Sequence, residues 1–268
     1  MNSDYQSLVQ EDADGAISLL DEYLAEAADG ASSRLLDWVR LLHAFYSAEE
    51  YDIFSDALED LPEDCPPGLV SALLSLHENE PEFVNEAVAV IGGHQCLTEV
   101  ELYQLMSMRE EPNEADDDAF NASKSGRASV AECPNSTEGM LLELAADPRW
   151  EIRYRVAMNA GITQPVQDAL VTATSTADDD GMGDYVLAAL AVNRQTSQPV
   201  LELLAANASP MVREAVALRA GLPDRVATAL LDSGTTSGAR PSGRLVWWDT
   251  GDARWMAQTT SRAQRAAI

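Results

Sequence analysis

The sequence predicts an all-α protein, an α-solenoid of short helix pairs that ends in a small β-hairpin. Imperfect internal repeats, each roughly two dozen residues long, carry two apolar stripes at helical spacing, and the composition changes after Gly234. The 46% of apolar residues are enough for a core, so the chain should fold. We divide it into an acidic helical cap (1–60), a repeat solenoid (61–232) and a C-terminal hairpin with a basic tail (233–268).

The N-terminal element is predicted to be a cap made of two amphipathic helices. Ile17, Leu20 and Leu24 follow each other at the three-and-four spacing of one apolar helix face. Trp38 and Leu41 do the same in the next helical segment. Such helices can cover the first repeat of an array, which would otherwise expose its apolar side.

The repeats become visible when the sequence is compared with itself. One constant shift superimposes Leu144-Ala145-Ala146-Asp147 on Leu204-Ala205-Ala206-Asn207 and Ile152-Arg153 on Val212-Arg213. A third copy, between these two, ends in Leu190-Ala191-Val192-Asn193, which matches Val156-Ala157-Met158-Asn159. Recurring alanines that let neighbouring helices approach closely occupy positions 89, 131, 157, 191 and 217. The longer intervals contain loop insertions at 110–124 and 174–184.

Each repeat has the chemistry of two short helices with a break between them. Thr137 is placed as an N-cap, and Asp147-Pro148 ends the first helix because a residue before proline avoids the α region. In the second helix we expect Arg153 and Arg155 to face outward, and Gly161 to form a left-handed C-cap.

These repeats resemble the variant leucine-rich repeats, a short all-helical relative of HEAT-type arrays in bacterial proteins. The motifs that carry the resemblance lie within 61–232 and are Pro66-Pro67-Gly68-Leu69-Val70, Leu144-Ala145-Ala146-Asp147-Pro148, Ile152-Arg153 and residues 130–137. The resemblance implies a right-handed superhelix with an extended surface. Some family members hold an iron–sulfur cluster through cysteines, but Cys65, Cys96 and Cys133 do not have that spacing. We therefore expect no cofactor and no metal.

The C-terminal segment is predicted to form a β-hairpin around Asp249-Thr250-Gly251-Asp252. It carries Trp247, Trp248 and Trp255, which either clamp the hairpin onto the last repeat or anchor a partner. Five arginines against two aspartates make this segment basic.

The charge of the chain is concentrated in its first part and suggests the kind of partner. Residues 1–118 hold 29 acidic side chains and three arginines, a net charge of −26, whereas residues 119–268 have a net charge of −2. Such asymmetry favours a basic protein partner over nucleic acid, whose phosphates need Lys and Arg. No segment has the features of a membrane span or a signal peptide, so we expect a cytoplasmic protein.

No catalytic motif stands out, so we expect a non-catalytic interaction scaffold, of which an immunity or inhibitor protein is a narrower form. His43, His77 and His94 are the candidate bases, and their positions fit helix ends better than a Cys–His pair. The alternative is a nucleic-acid-binding or nucleic-acid-modifying repeat protein that uses the equivalent arginines Arg153 and Arg213. In HEAT-like arrays such arginines usually bond the residue at the preceding break. The candidate partner-binding residues are therefore Arg153, Arg213, Trp247, Trp248 and Trp255.

Overall fold

A computed structural model describes residues 3–29, 32–61, 66–91, 97–108, 126–176, 181–219 and 222–232. Within these ranges the chain is all-helical and contains no strand. The N-terminal half contributes α1 (Ser3–Glu11), α2 (Ala13–Ala28), α3 (Ser32–Ser47), α4 (Tyr51–Glu59), α5 (Leu69–Leu74), α6 (Pro81–Ile91) and α7 (Glu99–Met106). The C-terminal half contributes α8 (Gly126–Glu132), α9 (Glu138–Ala145), α10 (Trp150–Met158), α11 (Gln164–Thr176), α12 (Gly183–Val192), α13 (Gln198–Ala205), α14 (Pro210–Ala217) and α15 (Asp224–Asp232).

The first three helices pack together, with α3 against both α1 and α2. Trp38 and Leu41 of α3 are buried, as the amphipathic pattern predicts. The core continues into the next helices through an aromatic cluster, in which the rings of Phe54 on α4 and Phe83 on α6 lie 5.9 Å apart. The N-terminal helices therefore share one core with the repeats that follow.

Six helices form a continuous file, in which each helix contacts the next but one along the chain. The file is α4, α6, α8, α10, α12 and α14, and the intervening helices lie beside it. Val88, Val156 and Val216, on α6, α10 and α14, are each 0% exposed. The positions that the alignment makes equivalent thus share one buried spine along this file.

The recurring alanines lie where the helices of the file meet. Ala131, Ala157 and Ala191 are 0% exposed, whereas Ala89 and Ala217 are partly buried. A methyl side chain lets neighbouring helices approach closely, which is the packing reason for a small residue at these positions.

The predicted N-cap of the first helix of the repeat is confirmed, whereas the predicted C-cap of the second helix is wrong. Thr137 is the N-cap of α9, and its side chain accepts a hydrogen bond from the Met140 N–H at 3.4 Å. Gly161 is not a left-handed C-cap: the positive-φ glycines of the described part are Gly68 and Gly181. Instead, α10 ends at Asn159 in an extended conformation, and the Asn159 side chain accepts from the Gly161 N–H at 2.7 Å. This turn needs no left-handed residue.

The predicted β-hairpin lies outside the described residues, as do the three tryptophans of the C-terminal segment. The hairpin and the role of these tryptophans stay predictions.

Candidate interaction surface

The ends of three helices of the file, α8, α10 and α12, are each fixed by a side chain from the next unit. Asn159 Nδ2 donates to the carbonyls of Ala131 and Cys133 at 2.8 and 3.0 Å. One unit later, Asn193 Nδ2 donates to the carbonyls of Ala157 and Asn159, both at 2.8 Å. We call this series of contacts the carbonyl ladder.

A third rung uses a different residue type at the equivalent position. Arg219 Nη1 donates to the carbonyls of Ala191, at 2.9 Å, and Asn193. The last carbonyls of a helix have no partner within the helix, so a donor from the neighbouring unit satisfies them. The ladder therefore joins successive units through buried hydrogen bonds. Sequence comparison aligned Asn159 with Asn193 but did not reveal this role.

The predicted arginine pair also satisfies backbone carbonyls, within its own unit. Arg153 Nη1 donates to the carbonyls of Asp147 and Pro148 at 2.7 and 2.9 Å, and Arg213 Nη1 contacts Asn207 and Ala208 in the same way. The expectation that Arg153 faces outward is wrong, because its side chain folds back to the start of its own helix and the residue is 1% exposed. Arg155 also turns inward, to an ion pair with Glu132 of α8.

Asp147 sits at the centre of a buried ion cluster at the break between α9 and α10. Its side chain is 2% exposed and accepts from Arg127 Nε at 2.7 Å and from Arg149 Nε at 3.0 Å. Burial by itself would raise the pKa of the Asp147 carboxyl, but the hydrogen bonds from the two arginines outweigh it and hold that pKa below its usual value. The cluster links α8 to the following unit.

The arginines of the C-terminal half are therefore mostly engaged inside the protein. Eight lie within the described parts of 126–232, and only Arg194 and Arg225 are exposed. The other six donate to carbonyls or carboxylates, and they are Arg127, Arg149, Arg153, Arg155, Arg213 and Arg219.

A shallow groove of about 610 Å³ runs between the α9–α10 break and α11, and Arg153 contributes to its wall. Asp147 and Asp168 line the same groove, so its lining includes two acidic residues and one arginine. This balance does not suit a phosphate.

The surface of the N-terminal half is strongly acidic. Sixteen carboxylates within the described parts of residues 3–108 are exposed: Asp4, Glu11, Asp12, Asp14, Asp21, Glu22, Asp29, Glu49, Glu50, Asp52, Asp56, Glu59, Asp60, Glu78, Glu82 and Glu99. The two arginines described there do little to offset them. Arg34 pairs with Glu26 at 2.6 Å, and Arg40 lies 3.8 Å from Asp37. We call these sixteen carboxylates the acidic surface.

His43 is the described histidine that lies closest to a catalytic arrangement. Its Nε2 is 3.2 Å from a Glu80 carboxylate oxygen and 3.4 Å from the Ser47 hydroxyl. A Ser–His–acid triad needs the hydroxyl and the carboxylate on opposite ring nitrogens, whereas here both contact the same one. The Ser47 hydroxyl also donates to the His43 carbonyl at 2.8 Å, a bond within α3. This geometry fits a structural contact between α3 and the segment before α6.

The cysteines give no support to a reactive or metal site in the described part of the chain. Cys133 is fully buried, and burial raises the pKa of its thiol. Cys65, Cys96 and His94 lie outside the described residues. Among the residues that the structure describes, no three His, Cys, Asp or Glu side chains are grouped so that they could hold a metal ion. None of the described helices combines the length and apolarity that a bilayer crossing requires.

No family model, curated protein or solved structure matches this chain. The resemblance to variant leucine-rich repeats therefore stays a prediction from the sequence motifs.

Proposed function

We propose that the chain is a non-catalytic protein-binding scaffold whose acidic N-terminal half attracts a basic partner. The observation that carries the proposal is the acidic surface, with sixteen exposed carboxylates on the described parts of residues 3–108. An immunity or inhibitor protein that blocks a basic target is a narrower form of the same function. The partner's charge is inferred from this surface, and the expected location is the cytoplasm.

We further propose that the helix pairs form an α-solenoid, right-handed as in the variant leucine-rich repeats. Three features support it: the continuous file from α4 to α14, the shared buried spine, and the carbonyl ladder between successive units. Such arrays use their cores to join neighbours and leave long surfaces for contact with other molecules.

Charge of this density acts first on the encounter between partners. A surface of one sign raises the association rate with an oppositely charged protein, and the effect falls as salt screens it. The Debye length shrinks from about 14 Å at 50 mM salt to about 4 Å at 500 mM. Binding through the acidic surface should therefore weaken strongly over this range.

The alternative, nucleic-acid binding through the arginines of the C-terminal half, loses support from the placement of these side chains. Phosphate contacts require exposed guanidinium groups, and six of the eight described arginines there donate inside the protein. The exposed Arg194 and Arg225 are the residues with which to test it. Duplex binding at low salt that is lost in Arg194→Glu/Arg225→Glu would favour this alternative over the protein scaffold.

The proposal can be tested by cross-linked capture from the native cell with wild type and two charge variants. Asp52, Asp56 and Glu59 are exposed and lie on one face of α4, so Asp52→Asn/Asp56→Asn/Glu59→Gln removes three charges from the acidic surface. The matched control is Glu138→Gln/Glu214→Gln/Asp232→Asn, which removes three exposed charges from the C-terminal half.

We expect a basic partner to be recovered at 50 mM salt and largely lost at 500 mM. The α4 variant should reduce recovery at least about threefold while the control retains it. Recovery that is insensitive to salt and equal in all three proteins would contradict the proposal.

A further inference from the structure

The last helix of the file, α14, has no further helix of the file packed against it among the described residues. Ala131, Ala157 and Ala191 are each 0% exposed, whereas Ala217 of α14, like Ala89 of α6, is partly buried. Leu218, the residue after Ala217, is 60% exposed, whereas its counterparts Met158 and Val192 are partly buried and 44% exposed, respectively. In the earlier units the next helix of the file packs against this side of the helix, so α14 exposes there an apolar residue that such a helix would contact.

The carbonyl ladder is also incomplete at this end. Side chains from the following unit occupy three acceptor pairs, the last being Ala191 and Asn193, which receive Arg219. The next pair would be the carbonyls of Ala217 and Arg219. No side chain of the described ranges donates to either.

A further apolar side chain is exposed on the neighbouring helix. Leu231 of α15 is 63% exposed, whereas its equivalent in the earlier repeat, Val171 of α11, is partly buried. α15 packs against both α13 and α14, so Leu218 and Leu231 belong to the same end of the array. We call Ala217, Leu218 and Leu231 the open end.

We infer that residues 233–268 of the same chain dock on the open end and cover it, with Trp247, Trp248 and Trp255 as the apolar contacts. The inference uses the equivalence of the repeats and does not depend on the proposed partner. It assigns to this segment the role that a capping unit has in a repeat array, which must hide the apolar side of its last repeat.

The position and composition of the segment favour it as the occupant. It begins directly after Asp232, the last residue of α15, so the chain from there to Trp247 can extend over about 50 Å. Neighbouring helices are only about 8–10 Å apart, so the open end is within reach. Three of the five tryptophans of the chain lie in this segment, and each can cover roughly 150–250 Å².

The segment also contains donors of the kind that the open rung requires. It holds Arg240, Arg244, Arg254, Arg262 and Arg265. On the preceding rung, Arg219 shows that one guanidinium can serve two helix-end carbonyls. A competing occupant for the segment is the acidic surface of a second copy, because the segment carries five arginines and two aspartates.

The test uses the full chain labelled with 5-fluorotryptophan, with the five ¹⁹F resonances assigned by single Trp→Phe substitutions. Leu218→Asp/Leu231→Asp places two charges on the open end. The matched control is Val100→Asp, at an apolar residue of α7 that is 68% exposed. The solvent isotope shift of each resonance reports whether its tryptophan is exposed to water.

We expect at least two of the three tail resonances to be shielded in the wild type and to become exposed in Leu218→Asp/Leu231→Asp, but not in Val100→Asp. The reciprocal variant Trp247→Ser/Trp248→Ser should speed hydrogen exchange of the α14 amides by about tenfold while the helical circular dichroism is retained. This second measurement keeps the inference testable if the charged variant unfolds.

Two results would overturn the inference. One is that the tail tryptophans are fully exposed in the wild type and the α14 exchange rates do not change. The other is that their shielding depends on protein concentration and is restored when labelled Leu218→Asp/Leu231→Asp is mixed with unlabelled wild type, which would place the segment on a second copy. Loss of partner binding without these changes would concern only the proposed function.

Discussion

Replacing Asn193 with leucine tests the carbonyl ladder, because it removes the hydrogen bonds and nearly keeps the shape of the side chain. Asn193 is 8% exposed and makes three hydrogen bonds: two from its Nδ2 to the carbonyls of Ala157 and Asn159, and one accepted from the Gln195 N–H at 2.9 Å. At about 1 kcal/mol net for each, Asn193→Leu should lower the free energy of unfolding by about 3 kcal/mol.

The assay is urea unfolding followed by circular dichroism, combined with hydrogen exchange of individual helices. Because the two Nδ2 bonds cross between units, exchange should accelerate in α10 as well as in α12. The control is Val192→Ala, at a neighbouring residue that is 44% exposed, which should change stability by less than about 0.5 kcal/mol. A loss below about 1 kcal/mol for Asn193→Leu, or faster exchange in α12 alone, would refute the ladder as a link between units.

Three further substitutions test the contacts that hold the helices. Asp147→Asn should lower the free energy of unfolding by about 2 kcal/mol at neutral pH. Because the pKa of Asp147 is lowered in the folded protein, this difference from the wild type should persist above about pH 4 and shrink as the pH falls further. Equal differences in urea unfolding at pH 7 and pH 3 would contradict a stabilising Asp147 carboxylate. Glu101→Ala removes the carboxylate that accepts hydrogen bonds from Thr98 and from the Gly68 N–H. Thermal unfolding should show a free energy of unfolding lower by about 2 kcal/mol, and Glu99→Ala, at an exposed residue, is the control. In urea unfolding, Arg153→Met should lower the free energy of unfolding by about 2–3 kcal/mol and Arg194→Met, the exposed control, by less than about 0.5 kcal/mol. Similar values for both variants would mean that the buried hydrogen bonds of Arg153 contribute little to stability.

Much of the helical fold could be predicted from the sequence because it depends on spacing. Apolar residues three and four apart place Trp38 and Leu41 on one buried face, and the recurring alanines mark the helices that stack. The N-cap of α9 at Thr137 was also predictable, because it depends only on one side chain and the next few backbone groups.

The errors concern long or adaptable side chains. The helical pattern allowed Arg153 to face outward, but its flexible chain reaches back to two carbonyls at the start of α10. Glycine is the usual residue of a left-handed cap, but at Gly161 the turn is instead held by the Asn159 side chain, which accepts a hydrogen bond from the Gly161 N–H. These outcomes depend on which nearby carbonyl or N–H lacks a partner, and a residue pattern does not contain that information.

The ladder was partly visible in the sequence. Asn159, Asn193 and Arg219 each lie two positions after one of the recurring alanines, so they follow each other at the same intervals as those alanines. Comparison by residue type does not join an asparagine to an arginine, although both supply N–H donors. A search for donors at the period of the repeat would have found all three rungs.

The distance along the file from α6 to its last helix, α14, tests the solenoid most directly. Nitroxide labels at Glu82 on α6 and Glu214 on α14, both exposed, are separated by four helix-to-helix steps. At about 8–10 Å for each step, electron–electron double resonance should give a distance of roughly 30–40 Å. A distance below roughly 20 Å would show that the helices close into a compact bundle, and would contradict an extended array with a surface for a partner.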